Sequence, residues 1–137
     1  MKKIIILLLL FACAPLVSAE IMIIGNLNST VNELTKKQVQ AIFMGRTRML
    51  SKGVRAIPMD SSDLRNEFYE KLTHRPIEQI NAYWARLMFG GRASPPLLKP
   101  DQQSVIEAVK TSKGMIAYIN SELIDETQVK LLFILKE

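Results

Sequence analysis

Short apolar runs of strand length alternate along this chain with segments whose apolar residues recur at helical spacing, and that alternation leaves few folds open. Ile21-Met22-Ile23-Ile24, closed by Gly25-Asn26, reads as a strand buried on both faces and ended by turn residues. Val54 to Met59 reads as a second strand, with Pro58 placing it at an edge or a strand end. Met115 to Ile119 and Val129 to Leu135 supply two more. Between them, Thr35 and Gln38 match a capping box ahead of a helix that carries Val39, Ile42 and Phe43 inward and stops at Gly45. Leu64, Phe68, Tyr69 and Leu72 mark another helix, for which Asp60, Ser61 and Ser62 are candidate caps. Pro76 suits the first turn of a third, with Ile77, Ile80, Trp84, Leu87 and Met88 as its apolar stripe. Asp101 caps a fourth that buries Val105, Ile106 and Val109 and ends near Gly114, expected in the left-handed conformation. Residues 46–53 read as a basic loop, and residues 89–96, with two glycines and two prolines, as a long one. Strands separated by helices predict a single α/β domain, a mainly parallel sheet flanked by helices.

The first residues limit how much chain that domain can use. Met1-Lys2-Lys3, an apolar run of about eleven residues from Ile4, and Val17-Ser18-Ala19 form the three regions of a secretory signal; a bilayer-spanning helix needs roughly 20. The expectation is a signal peptide over 1–19, a domain over 20–137, and a periplasmic protein with no membrane insertion of its mature part. Removing 19 of 137 residues leaves 118, one domain of ordinary size. Losing Lys2 and Lys3 from 18 basic against 13 acidic residues leaves a net charge of +3, which suits anionic small molecules better than nucleic acid. Cys13, the single cysteine, falls in the signal; as a lipid-attachment residue it would follow the ill-fitting Phe11. Packing alone must hold the mature fold.

Catalytic constellations are scarce. His74 is the only histidine and sits beside Arg75-Pro76 in a turn between helices, and no cysteine of the mature chain could complete a zinc or copper set. No G-x-S-x-G sequence marks a nucleophile. The chain reads as a non-enzyme that needs no cofactor or metal. Anion binding has a better physical case where the second strand meets its helix. The first amides of a helix lack intrahelical partners and sit at its positive end, so Ser61, Ser62 and Arg65 could surround an oxyanion. Simple capping by Asp60 or Asp63 would use the same amides.

Three segments in order resemble periplasmic phosphate-binding proteins of ABC transporters. Leu34 to Arg46 resembles their Leu-Thr-x-x-x-(Val/Leu)-x-x-Ile-Phe-x-Gly-Lys helix, Pro58 to Phe68 their strand-to-helix phosphate loop, and Thr111 to Ile119 their Thr-x-Gly-x-Ile-Gly-Tyr segment. The resemblance implies a binding-protein-like lobe, phosphate or a related oxyanion as ligand, and Ser61, Ser62 and Arg65 as the ligand-binding residues. Arg92, in the Gly-rich loop, is a further candidate. Where the family favours Ser-Gly-Thr, this chain keeps Ser62 but has Asp63 and Leu64. Family members have two lobes and this chain has room for one. That leaves an alternative, a ligand-free lobe that binds another envelope protein or pairs with a copy of itself.

Overall fold

The computed structural model describes residues 13–14 and 19–136, so the expected signal peptide lies almost wholly outside the described residues. Strand β1 (Ile21–Gly25) is followed by α1 (Lys36–Phe43), a hairpin of β2 (Met49–Ser51) and β3 (Val54–Arg55), and β4 (Ile57–Ser61). Helices α2 (Arg65–Thr73) and α3 (Ile77–Phe89) lead to β5 (Leu97–Lys99), then α4 (Gln102–Val109), β6 (Met115–Asn120) and β7 (Lys130–Leu135). The main sheet has the order β5-β4-β6-β1-β7. β4 is parallel to both neighbours, and β1 is antiparallel to both of its own, so four strands point one way and β1 is reversed.

The unbroken apolar runs of β1 and β6 follow from this layering. Ile21, Ile23, Ile116 and Tyr118 pack on one face with α1, α2 and α3. Ile24, Ala117 and Ile119 pack on the other with Val105, Ile106 and Val109 of α4. Side chains alternate across a strand, so a strand covered on both faces needs apolar residues at every position. In β7, Leu132 and Leu135 both join the first face although they are an odd number of positions, three, apart. A bulge explains it: Ile23 pairs with Phe133 and Ile24 with Leu131, leaving Leu132 as the extra residue, whose carbonyl accepts the Leu34 amide at 2.9 Å.

The local signals at α1 and α4 act as read. The Thr35 hydroxyl accepts the Gln38 amide at 3.2 Å, and the Gln38 side chain accepts the Thr35 amide at 2.8 Å. Asp101 accepts the Ser104 amide at 2.8 Å. Gly45 takes φ +69° just past α1, closing it in the left-handed conformation.

Other expectations need correction. Residues 46–53 are not all loop: β2 and β3 pair across Lys52-Gly53, with Gly53 at φ +78°, and Val54 to Met59 is divided between the hairpin and β4. β5, short and directly after Pro95-Pro96, forms an edge strand parallel to β4. Three residues after two prolines carry too little periodicity to be seen in sequence. Gly114 is not a left-handed helix end, since α4 stops at Val109 and Gly114 has no positive φ. Its role is close backbone approach. A Cβ there would lie 2.1 Å from the Arg55 carbonyl oxygen, and the Gly114 carbonyl accepts the Ile57 amide at 2.8 Å.

Candidate functional site

Chain direction creates a crevice at the carboxyl end of β4. From β4 the chain runs through α2 and α3 on one face to β5, then crosses back through α4 on the other face to β6. Open α/β sheets bind ligands where connections leave to opposite faces in this way. Ser62, Arg65, Asn66 and Asn81 line a cavity of about 440 Å³ here, with Asp60 behind them and Pro95-Pro96 and Leu98 opposite.

The floor is an ordered polar network. Asp60 is 2 % exposed, and its Oδ1 accepts the Tyr69 hydroxyl at 2.9 Å and the Tyr118 hydroxyl at 3.1 Å. Its Oδ2 accepts Arg65 Nε at 3.2 Å. Burial raises the Asp60 carboxyl above its usual value, against the opposing pull of Tyr69, Arg65 and Tyr118. Burial, followed by the Asp60 charge, pushes both phenols far up, so both keep the protons they donate. The Tyr118 hydroxyl also accepts the Ser61 amide at 3.2 Å, tying the end of β4 to β6.

Arg65 is held rather than free. Besides Asp60, its Nη1 donates to Asn81 Oδ1 at 2.8 Å and its guanidinium lies 5.4 Å from the centre of the Tyr69 ring. Nη2 has no hydrogen bond among the described residues. Fixing the fork in this way lowers the entropy lost when a ligand takes its remaining donors.

The capping expectation at Asp60, Ser61 and Ser62 is wrong. Asp60 and Ser61 belong to β4, α2 starts at Arg65, and its N-cap position, Leu64, makes no side-chain cap. Leu64, Phe68, Tyr69 and Leu72 do face inward as their spacing predicts, but β4 runs three residues past Pro58, to Ser61. Ser61 is fully buried, lies outside the cavity lining, and donates its hydroxyl to Asp63 Oδ1. Ser62 is exposed in the cavity, its amide bonded to the Lys99 carbonyl at 2.9 Å. Of the three expected ligand residues, the fold therefore brings Ser62 and Arg65 to one cavity and keeps Ser61 behind it. Arg92 lines a different cavity. His74 ends α2 as an exposed turn residue with φ +57°. No cluster of three metal-ligating side chains occurs among the described residues.

Asn66 and Asn81 escaped the sequence reading, since single asparagines on helices carry no spacing signal. Tyr69 and Tyr118 left a usable one: a buried tyrosine in place of phenylalanine announces a polar partner. The three quoted segments also meet in space. Phe68 stacks on Tyr118 at 3.6 Å, and Phe43 packs against Phe68 at 4.9 Å and Tyr118 at 5.6 Å.

No family model and no curated protein matches this chain. Solved structures do. One, a protein of Clostridium perfringens assigned as a phosphate ABC transporter substrate-binding protein and holding phosphate, shares 16 % identity at a TM-score of 0.66. It matches over 83 % of this chain and 44 % of its own. An ABC-type phosphate transport receptor from Vibrio cholerae gives 15 % identity and a TM-score of 0.64 over 83 % and 45 %. PstS from Borrelia burgdorferi gives 13 % and 0.58 over 83 % and 46 %. This chain spans less than half the length of each. At such identities the likeness concerns the backbone, and it establishes that the chain has the fold of a lobe of phosphate-transport substrate-binding proteins.

Proposed function

We propose that this protein is a periplasmic solute-binding module that takes phosphate, or a closely related oxyanion, at the Ser62–Arg65 cavity and performs no chemistry on it. The observation that carries the reading is Arg65: a guanidinium fixed on three sides at the carboxyl end of β4, with donors left over, in a cavity that also offers the Ser62 hydroxyl and two asparagine amides. An arginine fork beside hydroxyl and amide donors suits a tetrahedral oxyanion. The shared fold with phosphate-transport proteins supports the same ligand class.

Asp60 opposes an anion through its charge but offers a basis for selectivity. Monoprotonated phosphate can donate its own proton to a carboxylate, whereas sulfate at neutral pH has none to give. Among the described residues Asp60 Oδ2 accepts only from Arg65 Nε, which leaves it capacity for that proton, whereas sulfate would meet the carboxylate charge with nothing to offset the repulsion. Phosphate should therefore be preferred to sulfate. Titration calorimetry with both anions on wild type, Arg65→Ala and Ser62→Ala tests the assignment. Arg65→Ala is expected to weaken phosphate binding by about 1.5 to 3 kcal/mol and Ser62→Ala by about 1 kcal/mol. Undiminished phosphate affinity in Arg65→Ala would remove the site.

A further inference from the structure

A larger cavity, about 600 Å³, lies on the other side of Pro96, which lines both. Arg48, Arg55 and Arg92 all contribute to its wall, from the end of the α1 loop, the β2–β3 hairpin and the Gly-rich loop after α3. No carboxylate lines it, and among the described residues none of the three guanidiniums forms an ion pair. Arg48 Nη2 donates to the Arg92 carbonyl at 3.0 Å, fastening the Gly-rich loop to the hairpin. Three cations gathered in one concavity repel each other, and a fold gains nothing by assembling them unless an anion screens them.

Most of the remaining wall is apolar, Ile42, Pro58, Trp84 and Met88 among it, with Thr47 and Ser94 as its polar members. Trp84 is 3 % exposed, and the outer edge of its ring, Cη2 and Cζ3, lies beside Gly45, which shares the cavity wall with it. The volume is in the range of sites for organic molecules and far exceeds a single phosphate.

We propose that this cavity is a second, separate anion site, taking a small organic polyanion whose phosphate or carboxylate groups engage Arg48, Arg55 and Arg92 while its scaffold lies against the Trp84 wall. It does not depend on the Ser62–Arg65 assignment. Trp84 is the only tryptophan in the chain, so all tryptophan emission comes from a residue in the wall of this cavity.

Inositol hexakisphosphate and citrate are suitable probes, with orthophosphate for comparison, in titration calorimetry and Trp84 fluorescence at about 0.15 M salt, where loose surface attraction is screened. The expected result is saturable one-to-one binding of at least one polyanion. Arg48→Gln/Arg92→Gln should weaken it by about a hundredfold, and Arg55→Gln alone by about tenfold, as lost charge-assisted hydrogen bonds would. These exposed positions can lose charge without loss of fold, which circular dichroism checks. Any orthophosphate response in the 440 Å³ cavity should survive the double substitution. No saturable binding of either probe, binding that ignores all three substitutions, or binding only of a long acidic polymer such as polyglutamate would each overturn the proposal.

Discussion

Replacing Tyr118 by phenylalanine removes one oxygen atom that serves two partners. Its hydroxyl donates to Asp60 Oδ1 at 3.1 Å and accepts the Ser61 amide at 3.2 Å, while the ring stacks on Phe68 at 3.6 Å. Phenylalanine keeps the stacking and the volume, so no cavity term enters. A hydrogen bond to a charged group contributes about 1.5 to 3 kcal/mol, and a buried amide left without an acceptor costs about 1 to 3 kcal/mol. Some relaxation of the end of β4 would recover part of this, so we expect Tyr118→Phe to lose about 2 to 4 kcal/mol. Tyr69→Phe removes a single donor to the same oxygen, at 2.9 Å, and should lose less, about 1.5 to 3 kcal/mol. Urea unfolding of both variants, with unchanged slope m, provides the values. Losses under about 0.5 kcal/mol in both, the range of surface substitutions, would refute the network as the anchor of the site.

Burial raises the folded-state pKa of Asp60 above its usual 3.8, so the native state holds more protons than the unfolded chain between those two values. Its contribution is thus fully present below pH 3.8 and is lost as pH rises through the folded pKa; Asp60→Asn should flatten that falling segment in a pH series of urea unfolding. Gly114→Ala places a methyl 2.1 Å from the Arg55 carbonyl oxygen, where backbone must yield, and should cost about 1 to 3 kcal/mol or more; a neutral result by the same method would contradict the close approach of β3 and β6. Thr35→Ala opens the capping box of α1 and should cost about 1 kcal/mol, readable as a lower midpoint of thermal unfolding.

What could be read from sequence was what depends on neighbours along the chain. The capping box at Thr35 and Gln38, the cap at Asp101, the stop at Gly45 and the doubly buried runs at Ile21 and Met115 are local signals, and each acts in the fold as its chemistry indicates. The misreadings arise where a distant segment decides. Gly114 looked like a helix end because the carbonyl it must admit belongs to Arg55. Asp60 looked like a cap because the hydroxyls that hold it come from Tyr69 and from Tyr118, on another strand. Ser61 and Ser62 are adjacent and chemically equivalent, yet β4 ends between them, burying the one as its last residue and leaving the other exposed in the turn beyond. The candidate site is thus built from tertiary contacts, and the quoted segments mark chiefly the aromatic packing beneath it.

The most direct test of a phosphate-selective site is thermal unfolding of the purified protein with millimolar phosphate, with equal sulfate, and with neither. A ligand that binds only the folded state stabilises it by RT ln(1 + [L]/Kd), about 2.7 kcal/mol at a hundredfold excess over Kd. The account expects phosphate to raise the midpoint, sulfate to raise it much less, and Arg65→Ala to abolish the difference. Equal shifts with both anions, or no shift with either, would contradict it.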